Sequence, residues 1–511
     1  MKYKTLFILC FFLLSGKLLK AQDISQKFSD LFRSHYDYYS EKVLTHPFLK
    51  VENYALISAS YTLRGDGFNA RQDGDKEKNV RFFTEGTRHL GKFKVSGVFS
   101  YAHTLRDSVA YSLGDHDGAS PFYFFAGAKG NWEISKYNLN GIVTRSLINN
   151  KLLISGGGKF MAGNSWRSND PRMENFSHDL SASLAGHYKM MDKHTIGISA
   201  TLGGISRENS NEYRNKDYQD NLQNMKYINF INYGYGLNVI QNTGREIFTY
   251  TDKYAFGGIY NGEFDFGSVT LSGEIENQYS KYVRKPSESA SANYVYGKFD
   301  EQIRSLSLFW RAVPGEKIQW NTLLKFVQDY GTDFNRILGG HNYTYYHKTL
   351  SLKPVAGFMK NGQIRSELSL ILSSDRLFRS DGTTSHKADY QNTTAGLRGS
   401  WYSTESAHGS FLKISAAFAH RFNNKAIARA PKSQENTFTR DVMYYDYFYN
   451  GASTNTLNLN ALYNFRIRNT GFFLGINYEF LKAKLPNAGF TINEKPGTSR
   501  NIMQLNAGFT L

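Results

Sequence analysis

The chain has 511 residues, 41% hydrophobic and 15% aromatic, with 61 Lys and Arg against 44 Asp and Glu and a formal charge of +17. Its single cysteine, Cys10, excludes a disulfide scaffold and a Cys-based metal site. No run after residue 21 reaches the ~18 apolar residues of a membrane-crossing helix, and no composition break divides a length that a soluble chain would split into several domains.

Residues 1–21 open the chain with Lys2 and Lys4, an apolar run from Leu6 to Leu14 and a less apolar stretch ending in Ala21. That is the layout of a secretory signal peptide, with cleavage expected after Ala21. Its removal leaves 57 basic and 44 acidic residues, a charge of +13. A secreted chain of this charge is expected to meet no nucleic acid; its anionic neighbours would be outer-membrane lipid, lipopolysaccharide or acidic solutes.

Residues 22–50 follow a different period. Ile24, Phe28, Leu31, Phe32, Tyr36 and Val43 recur at steps of mostly three and four, which predicts a short amphipathic helix starting near Asp23 or Ser25. Two roles stay open for it: a plug inside a barrel, or a periplasmic element that docks a protein partner.

From residue 51 to 511 the dominant signal is alternation, the period of a strand with one oily and one wet face. In "TLNLNALYNFRI", Leu457, Leu459, Ala461, Tyr463, Phe465 and Ile467 share one side, with Leu462 the single exception on the other. A sandwich also alternates, so the connections decide. Short turns fall near 89–92, 148–150, 191–193, 264–267, 313–317, 360–363, 405–409 and 469–471. Between them lie long polar stretches, among them 65–79, 105–136, 164–175, 206–245, 329–343, 376–388 and 423–449. Short and long joins in strict alternation predict an all-β fold: one transmembrane antiparallel β-barrel of about eighteen strands (sixteen to twenty), with short periplasmic turns and long extracellular loops. Each strand is expected to cross the hydrocarbon with ~9–11 tilted residues.

A barrel of this size leaves a wet lumen unless something fills it. The predicted inward faces carry Lys94, Glu274, Glu276, Arg304, Lys325, Arg365, Glu367, Lys413, Arg421, Arg466 and Glu479. As pore-lining residues they would steer hydrophilic solutes through a channel or gated pore; paired with each other or with inward-folded loops, they would belong to a closed, non-channel barrel serving a larger uptake or secretion assembly. Three loops are rich in tyrosine. The densest cluster, Tyr444, Tyr445, Tyr447 and Tyr449, lies mid-loop and is the expected contact surface for a protein partner.

Catalytic patterns are missing: there is no G-x-S-x-G elbow, no H-E-x-x-H zinc motif, and Gly156–Gly158 fall within a predicted strand. No enzyme activity, metal or organic cofactor is expected.

The final stretch, "NIMQLNAGFTL", sets Met503, Leu505, Ala507, Phe509 and Leu511 on one face and Gln504, Asn506 and Thr510 on the other. It resembles the C-terminal targeting strand of Gram-negative outer-membrane β-barrel proteins, with Gln504, Phe509 and Leu511 at matching places. It departs from the commonest form in ending on Leu511 and in carrying Asn506. The resemblance implies location in the outer membrane and recognition by the barrel-insertion machinery. The strand's expected partner is the first strand, near "ENYALISASYTL".

Overall fold

The computed structural model describes residues 24–65, 67–114, 118–148, 151–218, 222–241, 246–284, 294–406, 409–467, 470–490 and 492–510. The expected signal peptide and Leu511 lie outside them. Among the described residues, eighteen antiparallel strands of 12 to 20 residues, from Asn53–Gly65 to Ser499–Thr510, form one sheet.

The sheet closes on itself. The last strand pairs with the first from Leu56↔Thr510 to Gly65↔Asn501, so the backbone N–H and C=O groups of both find partners. Closure is what the lipid interior demands, since a bare sheet edge there would leave several unsatisfied polar groups. The seam itself alternates: Ala59↔Ala507 and Tyr61↔Leu505 face outward, Ser60↔Asn506 and Thr62↔Gln504 inward.

The outer surface is an apolar belt. Ile198 is 74% exposed, Leu202 67% and Phe256 62%, and similarly exposed Leu, Phe and Tyr side chains recur around the ring. An apolar surface this continuous is incompatible with water and suits hydrocarbon. On the strand Tyr343–Lys360 the outward residues Phe358, Ala356, Pro354, Leu352 and Leu350 give way to Lys348. Ten residues at ~3.4 Å rise and ~40° tilt cover ~26 Å, close to the apolar band height of such barrels.

Several loops are shorter than expected because the strands continue past the membrane. Only residues 168–171 separate Leu152–Arg167 from Arg172–Met191, and only 336–342 and 382–386 separate the strands flanking the expected 329–343 and 376–388 loops. Backbone pairing continues outward where cross-strand neighbours support it. The stretches 105–136 and 206–245 hold three extra short strands, Phe122–Phe125, Phe230–Tyr233 and Asn238–Ile240. These form a separate three-stranded sheet and leave the barrel at eighteen.

Candidate functional site

The lumen is closed from the short-turn side by residues 24–50. A helix, Asp30–Ser40, is capped by Ser29, whose hydroxyl accepts the Phe32 N–H. Barrel groups complete the cap: buried Glu367 accepts the N–H of Asp30 at 2.9 Å and of Leu31 at 3.0 Å, and also the Tyr402 hydroxyl. A carboxylate at a helix N-terminus meets both its free N–H groups and the positive end of its dipole. Lys413 adds its ammonium to the Phe28 carbonyl at 2.9 Å and to Asp30 at 2.8 Å.

The segment crosses the lumen, for its partners stand all round the wall. Asn321 donates to the Leu31 carbonyl at 3.0 Å, Arg33 meets Glu85, and Tyr39 bonds Thr270 at 2.6 Å. Lys42 pairs with Glu274 at 2.7 Å, and Lys94 donates to the Leu49 carbonyl at 2.6 Å. His46 is fully buried between Thr144 and Ser96, at 2.6 and 2.7 Å. Burial, with Lys94 and His89 nearby, pushes its imidazole down to about 3. His35 is likewise held down at about 3 by burial and by Arg311, Lys50 and Lys94. Asp37 goes the other way, to about 6, because burial outweighs its pairing with Arg33.

Inward apolar residues receive the segment. Val355, Ile364, Tyr402, Phe411 and Leu462 cluster around Leu31, and Phe309 and Tyr54 pack on Tyr36, Tyr39 and Leu49. Leu462, the exception in its strand's pattern, therefore has a physical reason. Two wall glycines make room: a Cβ on Gly357 would stand 2.3 Å from Leu31 Cδ1, and one on Gly157 would stand 2.8 Å from Val43 Cγ1.

The opposite mouth is covered by loops that fold inward. The three-stranded sheet packs Phe122, Phe124, Phe125 and Ile231 against inward wall residues Tyr282, Tyr296, Phe299, Tyr343 and Tyr390. Four loops meet at Arg71. Its guanidinium lies 5.0 Å from the ring centroids of both Tyr111 and Tyr445 and bonds Glu494 at 2.6 Å, while the Arg71 backbone N–H donates to Asp446 Oδ1 at 3.4 Å. Burial pushes Asp446 up to about 6 despite Arg379 nearby; Glu494 is also partly buried, but its bond to Arg71 wins and holds it below the usual carboxylate range.

Between the two closures lies a chamber of about 780 Å³, with a second cavity of about 470 Å³ beneath the cap; both touch Gly118. The chamber wall carries Glu41, Asp179, Glu274, Glu276, Glu301 and Asp329 against Lys42, Lys159 and Lys253. Two of those lysines are engaged, Lys253 with Asp179 at 2.5 Å and Lys42 with Glu274. In a chain that is basic as a whole, this space is acidic. Among the described residues no group of three or more His, Cys, Asp or Glu is placed to hold a metal.

The expected pore residues thus divide. Glu274 and Glu276 line the chamber, and Lys325 faces the lumen opposite Ser307. Lys94, Glu367 and Lys413 hold the N-terminal segment. Arg421 binds the carbonyls of Tyr449 and Ala452, securing the end of a cap helix, Tyr444–Asn450. Glu479 pairs with Arg500 on the inner wall at 3.1 Å, and Arg466 lies on the inner face near the short turns, opposite Gly471.

Two placements correct the alternation. Arg304 faces outward, because it stands opposite outward Ile275 and two residues from outward Leu306. Arg365 sits where the register shifts between Phe358 and Met359; the shift turns Ile364 into the lumen, and the guanidinium bonds Gln363 at 2.9 Å. A bulge adds one residue and inverts the pattern beyond it.

The tyrosine cluster is also used differently from expectation. Tyr444 stacks on Phe490, Tyr445 covers Arg71, Tyr447 donates to the Asn487 carbonyl and Tyr449 packs on Phe68. These rings hold the cap together, with Tyr444 and Tyr445 buried within it and Tyr447 and Tyr449 half-exposed. At the seam, Gln504 faces inward opposite Thr62, and Phe509 faces outward opposite Ile57.

A closed barrel with a lipid-facing belt and short turns at one end is the fold of a Gram-negative outer-membrane β-barrel. Residues 43–511 match the family described as "Family of unknown function (DUF6850)", and the chain belongs to it. No curated protein matches the chain. Among solved structures it is similar to the siderophore receptor PiuA from Acinetobacter baumannii, at 8% identity and TM-score 0.38, over 90% of this chain and 82% of the other. It is also similar to the outer membrane transporter YddB from Escherichia coli, at 10% identity and TM-score 0.39, over 91% and 81%. A third is the ferric yersiniabactin uptake receptor FyuA from Yersinia pestis, at 6% identity and TM-score 0.40, over 90% and 80%.

Proposed function

We propose that the protein is a gated outer-membrane passage for small hydrophilic solutes, with residues 24–50 as the inner gate and the inward loops as the outer gate. The observation that carries this reading is the chamber, lined by more acidic than basic side chains, that lies between two separate closures. A structural barrel has no use for a polar void of that size, whereas a two-gate passage needs one. The carboxylate surplus favours cationic and neutral solutes over anions by Coulomb attraction across a low-dielectric wall.

Docking of the inner gate combines polar contacts that can exchange for water with small apolar clusters, and its release requires no unfolding of the barrel. Removing the Glu367 carboxylate leaves two buried N–H groups without an acceptor, at ~1–3 kcal/mol, which shifts docked against undocked by about 5- to 150-fold. The test is conductance in planar bilayers. The intact protein should show rare, brief openings, and Glu367→Ala combined with Lys413→Met, set in an Arg71→Ala background that loosens the outer closure, should raise open probability several-fold over Arg71→Ala alone. Silence of all three proteins, with the triple variant's segment shown by proteolysis to be released, would refute a passage and favour a docking barrel in a larger assembly.

A further inference from the structure

The outward position of Arg304 belongs to a larger pattern. Following directly opposed residues from strand to strand gives Arg304↔Gln328, Gln328↔Lys348, Lys348↔Arg376, Arg376↔Gln391 and Gln391↔Lys425. All six face outward: Arg304, Gln328, Lys348 and Arg376 share the parity of exposed Leu306, Tyr330, Leu350 and Leu372 on their strands, Gln391 shares that of exposed Leu397, and Lys425 joins them across the register shift that leaves Asn424 unopposed. Six neighbouring strands therefore present one continuous row of cations and amides, with none of the aliphatic side chains found below it.

The row lies at the upper edge of the apolar belt. Strands are tilted, so it climbs from Arg304, eight residues above the short-turn end of its strand, to Lys425, fourteen above its own. At ~3.4 Å per residue and ~40° tilt this is ~21 to ~36 Å, bracketing the outer headgroup level of a ~25 Å hydrocarbon band. Lys387 and Arg429, an opposed pair on the same face, stand just above. Aromatic rings brace these cations from the side: Lys348 lies 5.3 Å from the Phe326 centroid, Arg376 5.9 Å from Tyr346, and Lys387 5.3 Å from Phe378.

Asp389 organises the centre. It accepts Nε and Nη2 of Arg376 at 3.1 Å each and Lys425 Nζ at 2.6 Å, leaving Nη1 of Arg376 outside the pair. One carboxylate fixes two cations without neutralising the patch. A preformed basic patch beside hydrocarbon suits a ligand with anionic oxygens joined to acyl chains, since phosphate takes several charge-assisted bonds while its chains lie on the belt below.

We propose that Lys348, Arg376 and Lys425 form a binding site for the phosphate groups of an anionic glycolipid in the outer leaflet. The site is on the barrel's exterior and is independent of any passage through the lumen. The test uses the full chain in neutral detergent, titrated with lipid A in its bis-phosphorylated and dephosphorylated forms and read by native mass spectrometry. The intact protein should bind the bis-phosphorylated form at least about tenfold tighter. Lys348→Gln/Arg376→Gln/Lys425→Gln should abolish that preference, while the exterior control Lys78→Gln/Lys482→Gln/Lys484→Gln should keep it. Equal binding of both lipids by the intact protein would overturn the site, as would a preference that survives the first triple variant. Complete displacement of the lipid by equimolar inorganic phosphate would overturn the lipid as its occupant. Heat-modifiable gel migration reports folding, and should the triple variant not fold, Lys348→Gln alone should still narrow the preference severalfold.

Discussion

Glu367 shows how one side chain can serve two elements. On its strand it is an inward polar residue, and in three dimensions it is the missing cap of a helix more than three hundred residues earlier. Glu367→Gln keeps the size but replaces a charged double acceptor by one carbonyl, and should loosen the segment by ~1–3 kcal/mol. Amide exchange of residues 30–40 should rise while barrel amides stay protected. Gly357→Ala tests the same dock from the steric side: its new methyl meets Leu31 Cδ1 at 2.3 Å, so exchange should again rise in 30–40 and nowhere else. On the outer face, Leu505→Arg sets a cation in hydrocarbon opposite Tyr61. It should cost ~2–4 kcal/mol in urea unfolding from lipid vesicles, the range for cations near the bilayer midplane.

At the scale of the element, the N-terminal segment carries its own pH dependence. His35 and His46 are held down at about 3 when docked and regain an ordinary value near 6.5 when released. The released form therefore binds more protons between those values. Docking stability is complete above about pH 6.5 and is lost progressively as pH falls toward 3. Asp37, raised to about 6, opposes this between pH 6 and its ordinary range, but it is a single, half-exposed group against two buried imidazoles. At pH 5 the His46 contribution alone amounts to ~2 kcal/mol. Protease sensitivity of residues 24–50 should increase between pH 7 and pH 5, and His46→Gln should flatten that change. The period of three and four made this helix legible in the sequence. Its destination was not, because nothing local marks Glu367, Lys413 and Leu462 as its receptors.

Across the whole molecule, the proposed passage requires both closures to yield for solute to cross. They are built from different materials: the inner one from hydrogen bonds and small apolar clusters, the outer one from a large aromatic core. Acid should act on the inner gate, and mutation of Arg71 on the outer one, since its guanidinium joins four loops. Arg71→Ala should speed entry of neutral sugars into liposomes only when combined with Glu367→Ala, and either change alone should do little. A swelling rate raised equally by each single change would show that the two closures do not act in series.

Alternation over some 460 residues, turn spacing and the terminal strand were enough to point to one closed barrel of about eighteen strands, within a range of sixteen to twenty, because strand periodicity is local and the need to pair every backbone group in lipid calls for closure. The inward or outward sense of most charged residues followed from the same rule. It failed at Arg304, where a lipid-facing polar row begins, and at Arg365, where an extra residue inverts the pattern. Only the tertiary structure decided that the lumen is occupied, that the tyrosine loops turn inward and that the cations and amides of six strands align on one exterior row. Those outcomes depend on register between strands and on contacts across the barrel, neither of which leaves a periodic trace along the chain.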